Sequence, residues 1–191
     1  MDTGTFNLPE IPSIPDLSGF GTPDSTPFLD GWYEGTIVEQ RTSTDRNGNE
    51  RTFASEDAPS TNGDSRNIKL QVIVKRQSDE RTANMRYMVN YRPADLTAET
   101  VAAVVAQQAK VKSEGAQWDE LFRPFVTLQR LHVLQDVAGV RQFQRNGNGG
   151  LDIHGLFGKT VYVRLAEDDR DNRYRMIKAV SATPPKKAPV L

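Results

Sequence analysis

The chain has 191 residues, 37% of them hydrophobic and 26% charged, which suits one modest core with tails rather than two full domains. It lacks cysteine and holds only His132 and His154, which excludes disulfides, thiolate metal sites and a cysteine nucleophile and argues against a multi-histidine centre. The net charge is −1, but Asp2, Glu10, Asp16, Asp24 and Asp30 give the first 30 residues −5 with no Lys or Arg, leaving +4 for the remainder. A weakly basic body behind an acidic tail suits a polyanion ligand.

Residues 1–29 form the tail. Pro9, Pro12, Pro15, Pro23 and Pro27 forbid a helix or a central strand, so an extended, polyproline-like segment is expected. Its spaced apolar residues, Phe6, Leu8, Ile11, Ile14, Leu17 and Phe20, suggest docking in a groove on this chain or a partner. The start, MDTGTF, has neither a basic n-region nor an apolar h-region. No apolar run nears the roughly 20 residues that span a bilayer. A soluble cytoplasmic protein without membrane contact is expected.

A first strand is predicted over 30–40, rich in aromatic and β-branched residues, with Gly35 read as a bulge or bend. Residues 42–66 read as a long polar loop with turns at Asn47-Gly48 and Asn62-Gly63. A second strand spans 67–76, where Ile68, Leu70, Val72 and Val74 alternate with Lys69, Gln71, Ile73 and Lys75. A third spans 84–92, with Met85, Tyr87, Val89 and Tyr91 on one face and Arg86, Met88, Asn90 and Arg92 on the other. The two should pair as an antiparallel hairpin.

Thr97 is the expected N-cap of a helix running to about Ser113. A second helix begins near Trp118 or Pro124, carries Phe125, Leu128, Leu131 and His132 on one side, and ends at Gly139. Residues 141–150, RQFQRNGNGG, read as a flexible loop. A fourth strand spans 160–166. An acidic turn at 168–172 leads to a fifth over 173–180, and 182–191 is a short basic tail. The body, 30–181, is thus mainly β with inserted helices. Three strands, helices, then two strands is the order of a five-stranded oligonucleotide/oligosaccharide-binding (OB) type barrel.

Four stretches carry a resemblance: Gly31-Trp-Tyr-Glu-Gly35, the helix end Leu131-His-Val-Leu-Gln-Asp-Val-Ala-Gly139, Leu151-Asp-Ile-His-Gly-Leu-Phe-Gly-Lys159, and Tyr174-Arg-Met-Ile-Lys178. In them the chain resembles a family of bacteriophage OB-fold single-stranded-DNA-binding proteins encoded near replication and recombination genes. The resemblance implies a non-enzymatic replication or recombination accessory in the cytoplasm of an infected bacterial host. Its partners would be single-stranded DNA and phage replication or recombination proteins. It implies no cofactor.

On an OB domain the faces of the second and third strands bind single strands through cations and stacking aromatics. Lys69, Lys75, Arg86 and Arg92 fall on one outer face without a carboxylate, an electrostatic footprint for phosphates. Trp32, Phe53 and Phe143 are stacking candidates, the last beside Arg141 and Arg145, and Arg164 adds a cation on the fourth strand. Enzyme readings are weak. Asp168, Asp169 and Asp171 interleave with Arg170 and Arg173 as a solvated turn would. Asp152 and His154 lack a nucleophile, and Gly158-Lys159-Thr160 lacks the glycine spacing of a phosphate loop. The competing class is a structural or adaptor protein, in a virion or a host-targeting complex, that docks or self-assembles into a homo-oligomer through the tail.

Overall fold

The computed structural model describes residues 28–44, 47–61, 63–168 and 175–186. The acidic tail up to residue 27, most of the 168–172 turn and the last five residues lie outside the described residues. Alternation sets the main sheet. Tyr33 and Ile37 point inward from β1 (Gly31–Val38), as do Ile68, Leu70, Val72 and Val74 from β5 (Arg66–Lys75). Tyr87, Val89 and Tyr91 do so from β6 (Thr82–Tyr91), and Val161, Val163 and Leu165 from β7 (Thr160–Glu167). All twelve are buried in one cluster. Burying side chains of this size contributes roughly 1.5–3 kcal/mol each, so the period-two pattern dictates the register.

The sheet runs β6–β5–β1–β7–β8, with β8 spanning Arg175–Ser181, and every pair is antiparallel. The expected antiparallel hairpin of the second and third strands is present as β5 and β6, and the helices fall between the third and fourth of the strands read from the sequence. The outer strands β6 and β8 approach one another, but no ladder joins them among the described residues. The sheet is open along this seam rather than closed into a barrel. On β8 the register slips between Arg164 and Leu165, leaving Lys178 as the extra residue of a bulge beside the seam. A bulge bends its strand and re-aims its side chains.

Gly35 is not the bulge. It keeps register with Val74 on one side and Val161 on the other. A Cβ there would stand 2.8 Å from Cγ1 of Val72 and 3.2 Å from the Ile73 carbonyl, so glycine allows β1 and β5 to pack closely.

The expected polar loop over 42–66 is instead three short strands. β2 (Gln40–Thr44) and β3 (Glu50–Ala54) form a hairpin across the Asn47-Gly48 turn. β4 (Glu56–Pro59) pairs with the first half of β5. Ser and Thr also occur in loops, but Thr alternating along an exposed hairpin favours strand, and Ser55 anchors its base. The helices are α1 (Ala98–Glu114), capped by the Thr97 side chain accepting from the Thr100 N–H at 3.2 Å, and α2 (Phe122–Ala138), ended by Gly139. The N-cap Thr97 and the end at Gly139 agree with the sequence reading, and α2 starts at Phe122, between the two expected starts. α1 lies on the surface with Val104 alone buried, and α2 packs Leu131, Leu134 and Val137 inward.

Candidate nucleic-acid interface

Residues 84–88 of β6, with Gln71 of β5, form the floor of a groove. In the β5–β6 ladder Gln71 stands opposite Arg86. The β2–β3 hairpin forms one wall, fixed by two polar side chains. The Ser55 hydroxyl donates to the Val38 carbonyl (2.6 Å) and accepts from the Gln71 N–H (2.8 Å). The Gln71 amide nitrogen donates to the Ala54 carbonyl (3.3 Å), and its oxygen accepts from Arg41 Nε (2.9 Å). Gln71 is 3% exposed, and these bonds satisfy both ends of its buried amide. Held this way, the Arg41 guanidinium lies over the Phe53 ring at 4.5 Å from the centroid, a cation–π pair.

The other wall is built from Asp168 and residues 175–178 of β8, with Arg130 of α2 above Tyr87. The groove measures about 740 Å³. Among the described residues five cations line it, Arg41, Arg86, Arg130, Arg175 and Lys178, and one carboxylate, Asp168. Arg175 is bound to Asp30 at 2.9 Å. Arg41, Arg86 and Arg130 have no carboxylate partner among the described residues. Burial pushes the Tyr87 hydroxyl above its ordinary pKa against the opposing pull of the Arg130 charge. It therefore stays neutral and leaves that charge intact. Cations without counterions among the described residues, facing one groove, form a site for an anion with spaced charges.

The residues singled out from the sequence divide among several surfaces. Arg86 and Phe53 line the groove. Lys69 lies on its floor strand but pairs with Glu56 of β4 at 2.8 Å, and Lys75 pairs with Glu80 at 3.0 Å. Arg92 follows β6 and forms a two-pronged pair with Asp95. The expectation of a carboxylate-free face therefore fails for three of its four cations. The carboxylates come from β4, the β5–β6 turn and the turn before α1, none visible in the alternation of β5 and β6 alone. Trp32 and Arg164 face each other on the outer side of β1 and β7. Arg141 and Arg145 are exposed on the loop before β7, where Arg145 donates to the Gly149 carbonyl at 3.2 Å.

Phe143 is 8% exposed and belongs to the core cluster. It anchors its loop and is not an exposed stacking platform. Nor is that loop free. Asp57 of β4 is fully buried and accepts from Arg66 Nε (2.8 Å), the Tyr91 hydroxyl (2.5 Å) and the Leu151 N–H (2.6 Å). Arg66 also donates to the carbonyls of Asp57 and Asn148. A Cβ on Gly150 would lie 2.5 Å from an Arg66 nitrogen, so the bare glycine admits this ion pair. Burial, then the hydrogen bond to Asp57 and its charge, raise the pKa of Tyr91 far above that of a free tyrosine.

Sequence reasoning missed Arg41, Arg130 and Lys178. Arg41 sat at the edge of a stretch read as loop, Arg130 on a helix read for its apolar side, and Lys178 is aimed by a bulge. Asp152 lies 2.6 Å from His154 on the surface, and the backbone and ring N–H groups of His154 hold its carboxyl below the usual range. Among the described residues no cluster of three His, Asp or Glu is placed to hold a metal ion. No described helix is long and apolar enough to cross a membrane. No protein-family model matches the chain, and no curated protein matches it.

Proposed function

We propose that this protein is a non-enzymatic, largely sequence-independent binder of single-stranded DNA, built on an open OB-type sheet and serving phage replication or recombination. The observation that carries the reading is the groove holding Arg41, Arg86 and Arg130 without carboxylate partners among the described residues, beside the Phe53 ring. The strand order supports the OB assignment, and so does the groove's position. OB domains bind oligonucleotides on the faces of strands two and three, between the loop joining strands one and two and the loop joining strands four and five. The counterparts on this reading would be β5 and β6, the β2–β3 hairpin, and Asp168 at the end of β7. Phosphates would meet the arginines while a base stacks at Phe53, a contact worth ~1–3 kcal/mol per base.

The test is a fluorescence anisotropy titration of labelled oligothymidylate at low and moderate salt. Binding at micromolar protein or below, weakening steeply with salt, is expected. No binding at low salt refutes the reading.

A further inference from the structure

The tail contains a repeat that the proposed function leaves unused. Residues 8–20 read Leu-Pro-Glu, Ile-Pro-Ser, Ile-Pro-Asp, Leu-Ser-Gly, Phe. Leu8, Ile11, Ile14, Leu17 and Phe20 recur every third residue, followed in the first three triplets by proline and then Glu10, Ser13 or Asp16. Three residues per turn is the repeat of polyproline II. In that conformation the five apolar side chains form one stripe ~37 Å long, at ~3.1 Å per residue, and Glu10 and Asp16 share a second edge.

A complementary surface lies away from the nucleic-acid groove. Between α1, α2 and the loop before β7 is a cavity of about 720 Å³. Val101, Leu128, Leu131 and Phe143 provide its apolar lining, and Arg141 and Arg145 stand on its rim. Among the described residues its lining holds no carboxylate, and the segment holds no Lys or Arg. An apolar trough with a cationic rim fits an apolar stripe with an acidic edge in both hydrophobicity and charge.

Chain length favours one source for the occupant. The described chain starts at Phe28, packed on Tyr33 and Arg76, near the C-terminal end of β5. The cavity lies at the other end, where the Leu151 N–H meets Asp57 beside Arg66. Nine residue steps of β5 separate these ends, ~30 Å. The eight steps from Phe20 to Phe28 reach at most ~26–29 Å fully extended, and their path would also have to round the sheet. A second molecule has no such constraint. We infer that residues 8–20 of one copy dock in the α1–α2 cavity of another, so that the protein self-associates through its tail.

Light scattering on the full chain, with nucleic acid absent, makes the test independent of the DNA-binding reading. The wild type should show a concentration-dependent mass at or above twice 21.3 kDa. The variant Ile11→Asp/Ile14→Asp, altered outside the sheet, should stay at 21.3 kDa. A labelled peptide of residues 6–22 should bind that variant. Adding Arg141→Glu/Arg145→Glu should weaken the peptide at least ~10-fold while the thermal midpoint holds. A wild type that stays monomeric overturns the inference even if the peptide binds, because the segment then serves its own chain or another protein. Peptide binding indifferent to the rim charges also overturns it.

Discussion

Replacing Asp57 with Ala tests how the β4–β5–β6 end of the sheet is held. The carboxylate is fully buried and Arg66 nearly so. Removing it strands a guanidinium, a phenol and the Leu151 N–H at once. Breaking a buried pair by deleting one partner costs about 3–5 kcal/mol, chiefly from the charge left behind. For a domain of this size each kcal/mol shifts the midpoint by roughly 2–4 °C, so Asp57→Ala should lower it by about 6–20 °C. Asp57→Asn keeps the shape and an acceptor but loses the charge, and should fall between. The double variant Asp57→Val/Arg66→Met should regain much of the loss, because the pair itself is worth less than the penalty of splitting it. Thermal and urea unfolding followed by circular dichroism measure these differences. A loss below ~1 kcal/mol in Asp57→Ala would refute the claim that this cluster pins the loop and sheet together.

Alkaline stability follows from the buried phenols of Tyr33, Tyr87 and Tyr91, all with raised pKa through burial. A raised folded pKa leaves stability intact below the unfolded value near 10 and removes it as pH climbs above that point. Tyr91 alone should cost about 1.4 kcal/mol by pH 11, and Tyr91→Phe should flatten the slope of urea-derived stability against pH above 10. Gly35→Ala should cost roughly 1–3 kcal/mol by overpacking against Val72, read as a lower urea midpoint. On the binding side, Lys69→Ala and Lys75→Ala should each change affinity for oligothymidylate less than about 3-fold. Their charges are already paired with Glu56 and Glu80, and a surface pair is worth ~0–1 kcal/mol.

The core was legible in the sequence because alternation is a one-dimensional record of burial. Ile68 to Val74 and Tyr87 to Tyr91 face inward as read, and Thr97 and Gly139 cap the helices as read. The groove was less legible, for a reason specific to charge. A side chain's face follows from its own strand, but its counterion comes from elsewhere. Glu56 reaches Lys69 from thirteen residues away, and Arg41 reaches Gln71 from thirty. Alternation placed Lys69, Lys75 and Arg86 outward correctly, but the fold distinguishes the neutralised lysines from Arg86. Phe143 shows the converse error. Flanking arginines and glycines signalled exposure, while the Asp57 cluster draws that loop onto the core.

The central claim is that Arg41, Arg86 and Arg130 meet phosphates, and the salt dependence of binding tests it most directly. On single strands the slope of log affinity against log salt is about −0.7 per phosphate neutralised. The triple variant Arg41→Ala/Arg86→Ala/Arg130→Ala should therefore make the slope for oligothymidylate shallower by ~2, with a large loss of affinity at low salt. An unchanged slope in a variant that folds as the wild type does would place the phosphates elsewhere and contradict the account.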